Sequence, residues 1–365
     1  MKKSNFLRKA FYFLHEIANW KLIIGLILFA LLIRIPLTYN LKDINGVGWD
    51  GGHYYNIAKN LSEGKGYLKN FKVKYFYGID EKEPYKHKIS RKSSFIPPVL
   101  PGLGAIAITV FGESPFSFIL LNVLLHLISL VFFFFILQRL TTKVWATAGA
   151  LLFTLQPFIF QYSQNILTET SYIIFLIISL WVGLRYISVS DKKQAISWLT
   201  LLALSVSLCF LSRNLGIIHA IGIGLFLLVY KNYKHFLYFT LITAVIFIGW
   251  EFVFPYVTLD GHIVSRYSRF LSGYSTNYLF GADIKELAGN GGLISGLKEL
   301  FASLGAVFQY MSSYNLLFIL FPFSLLSIWL FRTDKKFAFI ITLFLSEFLL
   351  ILFFQSTIQR YYISI

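Results

Sequence analysis

Nine apolar runs govern what this chain can become. They lie near residues 21–39, 115–138, 143–160, 169–187, 194–212, 214–230, 235–254, 313–331 and 337–355. They are about 17–24 residues long, close to what an α-helix needs to cross a hydrocarbon core of about 30 Å. The runs are continuous rather than alternating, which argues for helices over the strands of a closed barrel. Lipid offers backbone N–H and C=O groups no partner, so spanning segments must satisfy them internally. The charged fraction of 14% is far below the roughly 25% of a soluble domain. The expected fold class is therefore all-α: a polytopic transmembrane helical bundle of about nine spans, with juxtamembrane helices on the outer side. No internal repeat or linker divides it, so residues 1–365 read as one integral membrane domain.

The net charge of +16 would suggest nucleic acid in a soluble protein. Here Lys and Arg sit in short loops and follow the positive-inside rule, so no nucleic-acid partner is expected. The rule also orients the chain. A further apolar stretch, 95–111, carries Pro97, Pro98 and Pro101 and is short for a span. If it stays at the outer surface, the inner loops hold Arg139 and Lys143, then Arg185, Lys192 and Lys193, then Lys231 and Lys234, then Arg332, Lys335 and Lys336. The short outer connections then hold only Arg213 and Arg360. If it crosses, the two sets exchange and the rule fails at every loop. The expectation is a plasma membrane of bacterial type, with the N-terminus cytoplasmic. The basic start (Lys2, Lys3, Arg8, Lys9) and apolar continuation from Leu22 read as a retained signal anchor, since no small-residue cleavage site follows Arg34-Ile35-Pro36. The single cysteine, Cys209, excludes an internal disulfide and a thiolate metal site.

Two long segments fall outside on this topology. Residues 40–114 form the first, with a short amphipathic helix expected at 51–62, then a basic Tyr-rich stretch, then the proline-containing run 95–111. Residues 255–312 form the second. In it Leu293, Leu297, Leu300, Phe301, Leu304 and Phe308 recur at the spacing of a helix lying in the interface.

Few polar residues remain at span ends, and these carry the chemistry. Asp50 follows the first run. It is either the N-cap of the helix starting near Gly51 or a carboxylate whose partial desolvation suits it to act as a base, and the two roles are compatible. Glu169 sits at the outer end of the fourth run. It is either a first-turn acid in a helix capped by Thr168 or Asn165, or a second carboxylate on the same face as Asp50. Together Asp50 and Glu169 could hold a divalent metal ion. Arg213 and Arg360 are outer arginines that either snorkel to headgroups or grip a phosphate with paired donors. The cluster Lys86, His87, Lys88, Arg91 and Lys92 either touches anionic lipid or binds a phosphate head. His53 and Tyr54, one turn after Asp50, are candidate substrate contacts alongside Arg91 and Lys92. Glu347 lies mid-run and is expected to face the bundle interior.

The order of these features resembles the GT-C membrane glycosyltransferases, and more narrowly the branch related to protein O-mannosyltransferases and lipid A aminoarabinose transferase. The matching pieces are Arg34 in the first run, WDGGHYYNIAKNLSEGKGY, PPVLPGLGAIAITVFGESPF, PFIFQYSQNILTET, LSRNLGI and the terminal QRYYISI. The resemblance implies a GT-C-like bundle with an Asp in the first outer loop, here Asp50, as catalytic base or as a sugar or metal contact. It implies an acidic residue opening the fourth span, here Glu169. It also implies polyprenyl-phosphate sugar donors and inversion at the anomeric carbon. Two departures stand out. Phe95-Ile96 occupy the place before the proline run where many relatives carry a basic residue, leaving Arg91 and Lys92 as the nearest cations. Relatives also continue through further spans beyond the point corresponding to Ile365.

The function expected is transfer of a hexosyl or pentosyl group from a lipid-linked donor to a lipid, glycan or protein acceptor of the cell envelope, on the outer face. Two other classes compete. A transporter or flippase of lipid-linked substrate would carry charged or broken spans in paired halves, and only Glu347 fits. A truncated, non-catalytic membrane subunit is the other.

Overall fold

The computed structural model describes residues 16–42, 48–70, 90–92, 96–213, 216–258 and 334–343. Ten helices and one small ribbon follow in chain order. They are α1 (Asn19–Asn40), α2 (Gly48–Ser62), β1 (Leu68–Asn70), β2 (Ser90–Lys92), α3 (Val99–Phe111), α4 (Pro115–Leu140), α5 (Lys143–Leu155), α6 (Pro157–Ser163), α7 (Thr168–Ser188), α8 (Lys192–Ser212), α9 (Gly216–Val229) and α10 (Tyr233–Thr258). Residues 335–343 are also helical. The architecture is the expected helical membrane bundle. β1 and β2 add only a three-residue antiparallel ribbon, with Lys69 opposite Arg91.

Among the described residues, five helices are long and apolar enough to cross a membrane: 19–40, 115–140, 168–188, 192–212 and 233–250. The run 143–160 is not one helix. It breaks at Gln156 into α5, of 13 residues, and α6, of 7. Gln156 precedes Pro157, whose ring drives its neighbour out of the helical region, and its backbone is extended (ψ 122°). Its side chain then accepts from the Ile159 N–H at 2.6 Å and opens the next helix. The run 214–230 yields α9, of 14 residues. The last two expected runs fall outside the described residues, apart from the helical start at 335–343. Helix α3 confirms a helix in the proline-containing stretch. Its 13 residues rise about 20 Å, short of a hydrocarbon core.

The chain divides into two compact units, residues 1–217 with 241–260, and residues 218–240 with 261–365. In the second, Phe226 meets Phe339 edge to face at 5.1 Å. Every described candidate site residue lies in the first.

That first unit is built on helix faces. On α1, Leu22, Leu26, Ala30, Arg34 and Thr38 are buried at every fourth position. Trp20, Ile24, Leu28, Leu32, Ile35 and Tyr39 stand exposed on the other side. A stripe of large apolar side chains facing outward is what lipid requires. Leu22, Leu26 and Ala30 pack on Leu130 and Phe134 of α4 and on Ala146 and Ala150 of α5. Helix α7 lies along α8 and α4. Their buried faces carry small residues (Ser171, Ser179, Ala203, Ser205, Ser207), which let backbones approach closely in lipid. The hydroxyls bond their own helix, as in Ser205 to the Leu202 carbonyl at 2.9 Å and Ser207 to that of Ala203 at 2.8 Å.

Helices α2 and α3 pack on each other and cover one end of α4 and α7. Tyr55 and Ala58 of α2, Leu100, Ala107 and Ile108 of α3, Phe118, Leu121 and Leu125 of α4, and Ile166 and Ile174 form one core. Gly104 is the closest point. A Cβ there would overlap the ring of the fully buried Phe118, which is itself tilted against Tyr55 at 5.7 Å. Lys59 ties α2 to the α3–α4 connection through Glu113.

Candidate functional site

Chain direction decides which residues can meet. Helices α1, α4 and α7 finish at opposite ends from where they start, and α5 and α8 return. Lys143 at the start of α5 bonds the Ile17 carbonyl before α1, at 2.9 Å. One end of the unit therefore gathers the starts of α1, α5 and α8 with the finishes of α4 and α7. The other gathers the finishes of α1, α5 and α8 with α6, the starts of α4 and α7, and the α2–α3 cover. Asp50, Glu169, Arg213 and Arg34 all belong to this second end.

Arg34 is wholly buried. Its Nε donates to the Ser163 hydroxyl at 3.3 Å and its Nη2 to the Thr154 carbonyl at 3.1 Å. The guanidinium lies 5.1 Å from the centre of the Phe160 ring. Thr154 is one of the last carbonyls of α5, so the cation sits where the break before Pro157 leaves unpaired acceptors and a negative helix end. Among the described residues the Nη1 group has no hydrogen-bond partner and no carboxylate pairs with Arg34. Nearby buried polar groups are also incompletely bonded, including Asn122 Oδ1, His126 Nε2 and Thr154 Oγ1. His126 stacks on Phe153 at 5.5 Å. A buried charge with spare donors favours an anion. Sequence reading placed Arg34 within the resemblance but gave it no role. The signal was present: a single cation at an every-fourth-residue buried position in an apolar helix.

Glu169 opens α7, whose N-cap is Leu167, without a side-chain cap. The expected capping by Thr168 or Asn165 does not occur. Thr168 is already helical, its carbonyl accepting from Ser171, and Asn165 instead donates to Gln161. The Asn165 carbonyl accepts from Asn122 of α4 at 2.5 Å. Glu169 is a first-turn acid, as expected, and its Oε1 accepts from Arg213 Nη1 at 2.7 Å. Arg213 follows α8 directly, its N–H bonded to the Cys209 carbonyl, and its carbonyl accepts from Gly216. A Cβ at Gly216 would run into the Phe210 backbone, so glycine lets the chain fold back tightly on Arg213. The arginine read as a phosphate ligand is thus held by the carboxylate read as the partner of Asp50.

Asp50 is exposed, in the first turn of α2. That helix starts at Gly48, so Asp50 is inside it and is not its N-cap. His53 is buried and Tyr54 packs on the α2–α3 core. Further along, the buried Tyr67 donates to the Ile96 carbonyl at 2.7 Å. Burial, with a smaller push from Tyr54, raises its pKa. Arg91 and Lys92 lie on β2, and their side chains are outside the described set, as are Lys86, His87, Lys88, Arg360, Glu347 and the interfacial helix expected at 293–308.

Among the described residues no group of three or more His, Cys, Asp or Glu could hold a metal ion. Of the pair expected to hold a divalent cation, Glu169 is engaged by Arg213.

No curated protein and no solved structure compared with the chain matches it. A family model does. Residues 96–255 match the family described as dolichyl-phosphate-mannose-protein mannosyltransferase. The matched segment contains Glu169 and Arg213 and begins after Asp50. Over that segment the chain is similar to the dolichyl-phosphate-mannose-protein mannosyltransferases, and the match supports a membrane glycosyltransferase of the GT-C type.

Proposed function

We propose that this integral membrane protein transfers a sugar, hexosyl or pentosyl, from a polyprenyl-phosphate carrier to a hydroxyl acceptor, on the outer side of the membrane. The observation that carries the proposal is the family match over residues 96–255. Support for the site comes from the convergence of two arginines and two carboxylates at one end of the bundle.

In the proposed step an acceptor oxygen attacks the anomeric carbon opposite the phosphate. The new C–O bond forms as the sugar–phosphate bond breaks, the configuration inverts, and the carrier leaves as its phosphate. Asp50 orients the acceptor hydroxyl and takes its proton. Charge develops on the leaving phosphate, so fixed cations there stabilise the transition state more than the ground state. Arg213, aimed by Glu169, is the first such group. Arg34 contributes positive potential from the buried side. The charges of the short loops support the outer placement.

The test is consumption of radiolabelled polyprenyl-phosphate mannose by the purified protein in lipid vesicles, with and without Asp50→Asn. Wild type should release polyprenyl phosphate. The variant keeps size and helix and should insert normally while turning over at least about a hundredfold more slowly, the lower end of general-base contributions. Full activity in the variant removes Asp50 from the mechanism, and failure of the wild type to consume this or other polyprenyl-phosphate sugars removes the mechanism itself.

A further inference from the structure

The opposite end of the first unit carries a second cluster that sugar transfer does not use. Arg139 lies in the last turn of α4 and Arg185 in the last turn of α7. Arg185 stands over Trp181, with its guanidinium carbon 5.3 Å from the ring centre, and over Trp198 of α8 at 6.0 Å. The two indoles meet edge to face at 5.6 Å, and Trp181 meets Phe132 of α4 likewise at 5.2 Å. Phe132 and Arg139 are seven residues apart on α4, and Trp181 and Arg185 four apart on α7. Each pair therefore shares a helix face, and both faces turn to the seam where α4, α7 and α8 join.

A cation in the last turn of a helix is ordinary, because it complements the macrodipole. That explains each arginine singly but not their convergence. Both end helices that pack on each other and finish at the same end of the unit, so two like charges stand at one seam. Among the described residues neither arginine has an acidic partner or a side-chain hydrogen bond, and neither indole N–H is bonded. The nearby Asp191 is occupied in capping α8, accepting from the Gln194 N–H at 2.9 Å. Two guanidiniums and two half-buried indoles thus present unused donors at one place, above an apolar helix bundle.

The geometry points to a binding site for an anionic phospholipid, with its phosphate between Arg139 and Arg185 and its glycerol-ester region against Trp181 and Trp198. Phosphate oxygens match the paired donors of a guanidinium. Indoles favour the depth where headgroup meets chain, with the N–H toward ester oxygens. A bound phosphate would also remove the repulsion between the arginines. A soluble phosphate would satisfy the arginines but leave the indoles unused, which favours a lipid. The site is independent of the transfer reaction and stands even if that reaction is wrong.

Delipidated protein in neutral detergent should be titrated with dioleoyl-phosphatidylglycerol or dioleoyl-phosphatidylcholine, followed by native mass spectrometry and thermal unfolding. The glycerol lipid should give a discrete adduct and raise Tm, with the choline lipid weaker by at least about tenfold. Arg139→Gln with Arg185→Gln should abolish that preference. Arg185→Lys, which keeps charge but not the planar fork, should weaken it, and this milder variant decides the matter if the double one does not fold. Equal binding of the two lipids, a preference unchanged by the substitutions, or full replacement by millimolar inorganic phosphate would each overturn the assignment.

Discussion

Glu169 and Arg213 make a sharp test, because the fold joins two residues to which separate duties can be given. Their side chains are 13% and 19% exposed, and they meet at 2.7 Å. Exposed ion pairs contribute about 0.2–1 kcal/mol, while removing one partner of a buried pair costs about 3–5 kcal/mol. This pair lies between, so about 1–3 kcal/mol of coupling is expected. If Glu169 acts only by aiming Arg213 at the donor phosphate, losing either residue disables the same contact. Glu169→Ala and Arg213→Ala should then each lower turnover of the lipid-linked donor by about 10- to 100-fold, a loss of about 1.5–3 kcal/mol. The double variant should be no worse than Arg213→Ala, because the function of Glu169 has already gone. The assay is initial-rate release of polyprenyl phosphate over a range of donor concentrations, with acceptor saturating. Both single variants should change the dependence on donor. Losses that multiply in the double variant would show that Glu169 acts on its own. Wild-type donor use in Arg213→Ala would reduce the pair to a brace between α7 and α8.

Three further outcomes are expected. Gly104→Ala forces a methyl into the Phe118 ring and should cost about 1–3 kcal/mol by overpacking, read as a lowered Tm in detergent, with Phe118→Leu partly restoring it. Tyr67 has a pKa raised in the fold by burial, so its contribution to stability is fully present below its unfolded pKa of about 10 and is lost as pH rises above that. Wild type should therefore lose Tm above about pH 10 more steeply than Tyr67→Phe, and parallel curves would count against the burial of that hydroxyl. Single cysteines introduced at Lys74 and Thr276 in a Cys209→Ser background should react with an impermeant maleimide from outside intact cells, and one at Lys192 should not. The reverse pattern would turn the proposed site to the cytoplasm.

Hydropathy and charge in the sequence determined the class of this protein and most of its long helices. Runs at 115–138, 169–187 and 194–212 became α4, α7 and α8 with ends within a few residues, because crossing a hydrocarbon layer is a requirement each segment meets alone. The family resemblance was legible for a similar reason, since its motifs are short and local. Local rules misplaced other details. Helical spacing after Asp50 put the helix start near Gly51, but α2 begins at Gly48, and Asp50 moved from cap to first turn. Apolarity carried 143–160 across Pro157, where backbone sterics break the helix. What only the tertiary structure decided is which span ends face one another. Glu169 and Arg213 lie 44 positions apart, and the rotation of α7 against α8 makes them a pair. Arg34 reaches Thr154 and Ser163 only because α1 presents every fourth residue to α5 and α6. Arg139 and Arg185 each looked like an ordinary loop charge until their helices brought them to one seam. Hydrophobicity acts residue by residue and can be summed along a chain, whereas an ion pair or a shared site depends on the angle between packed helices, which no single segment contains.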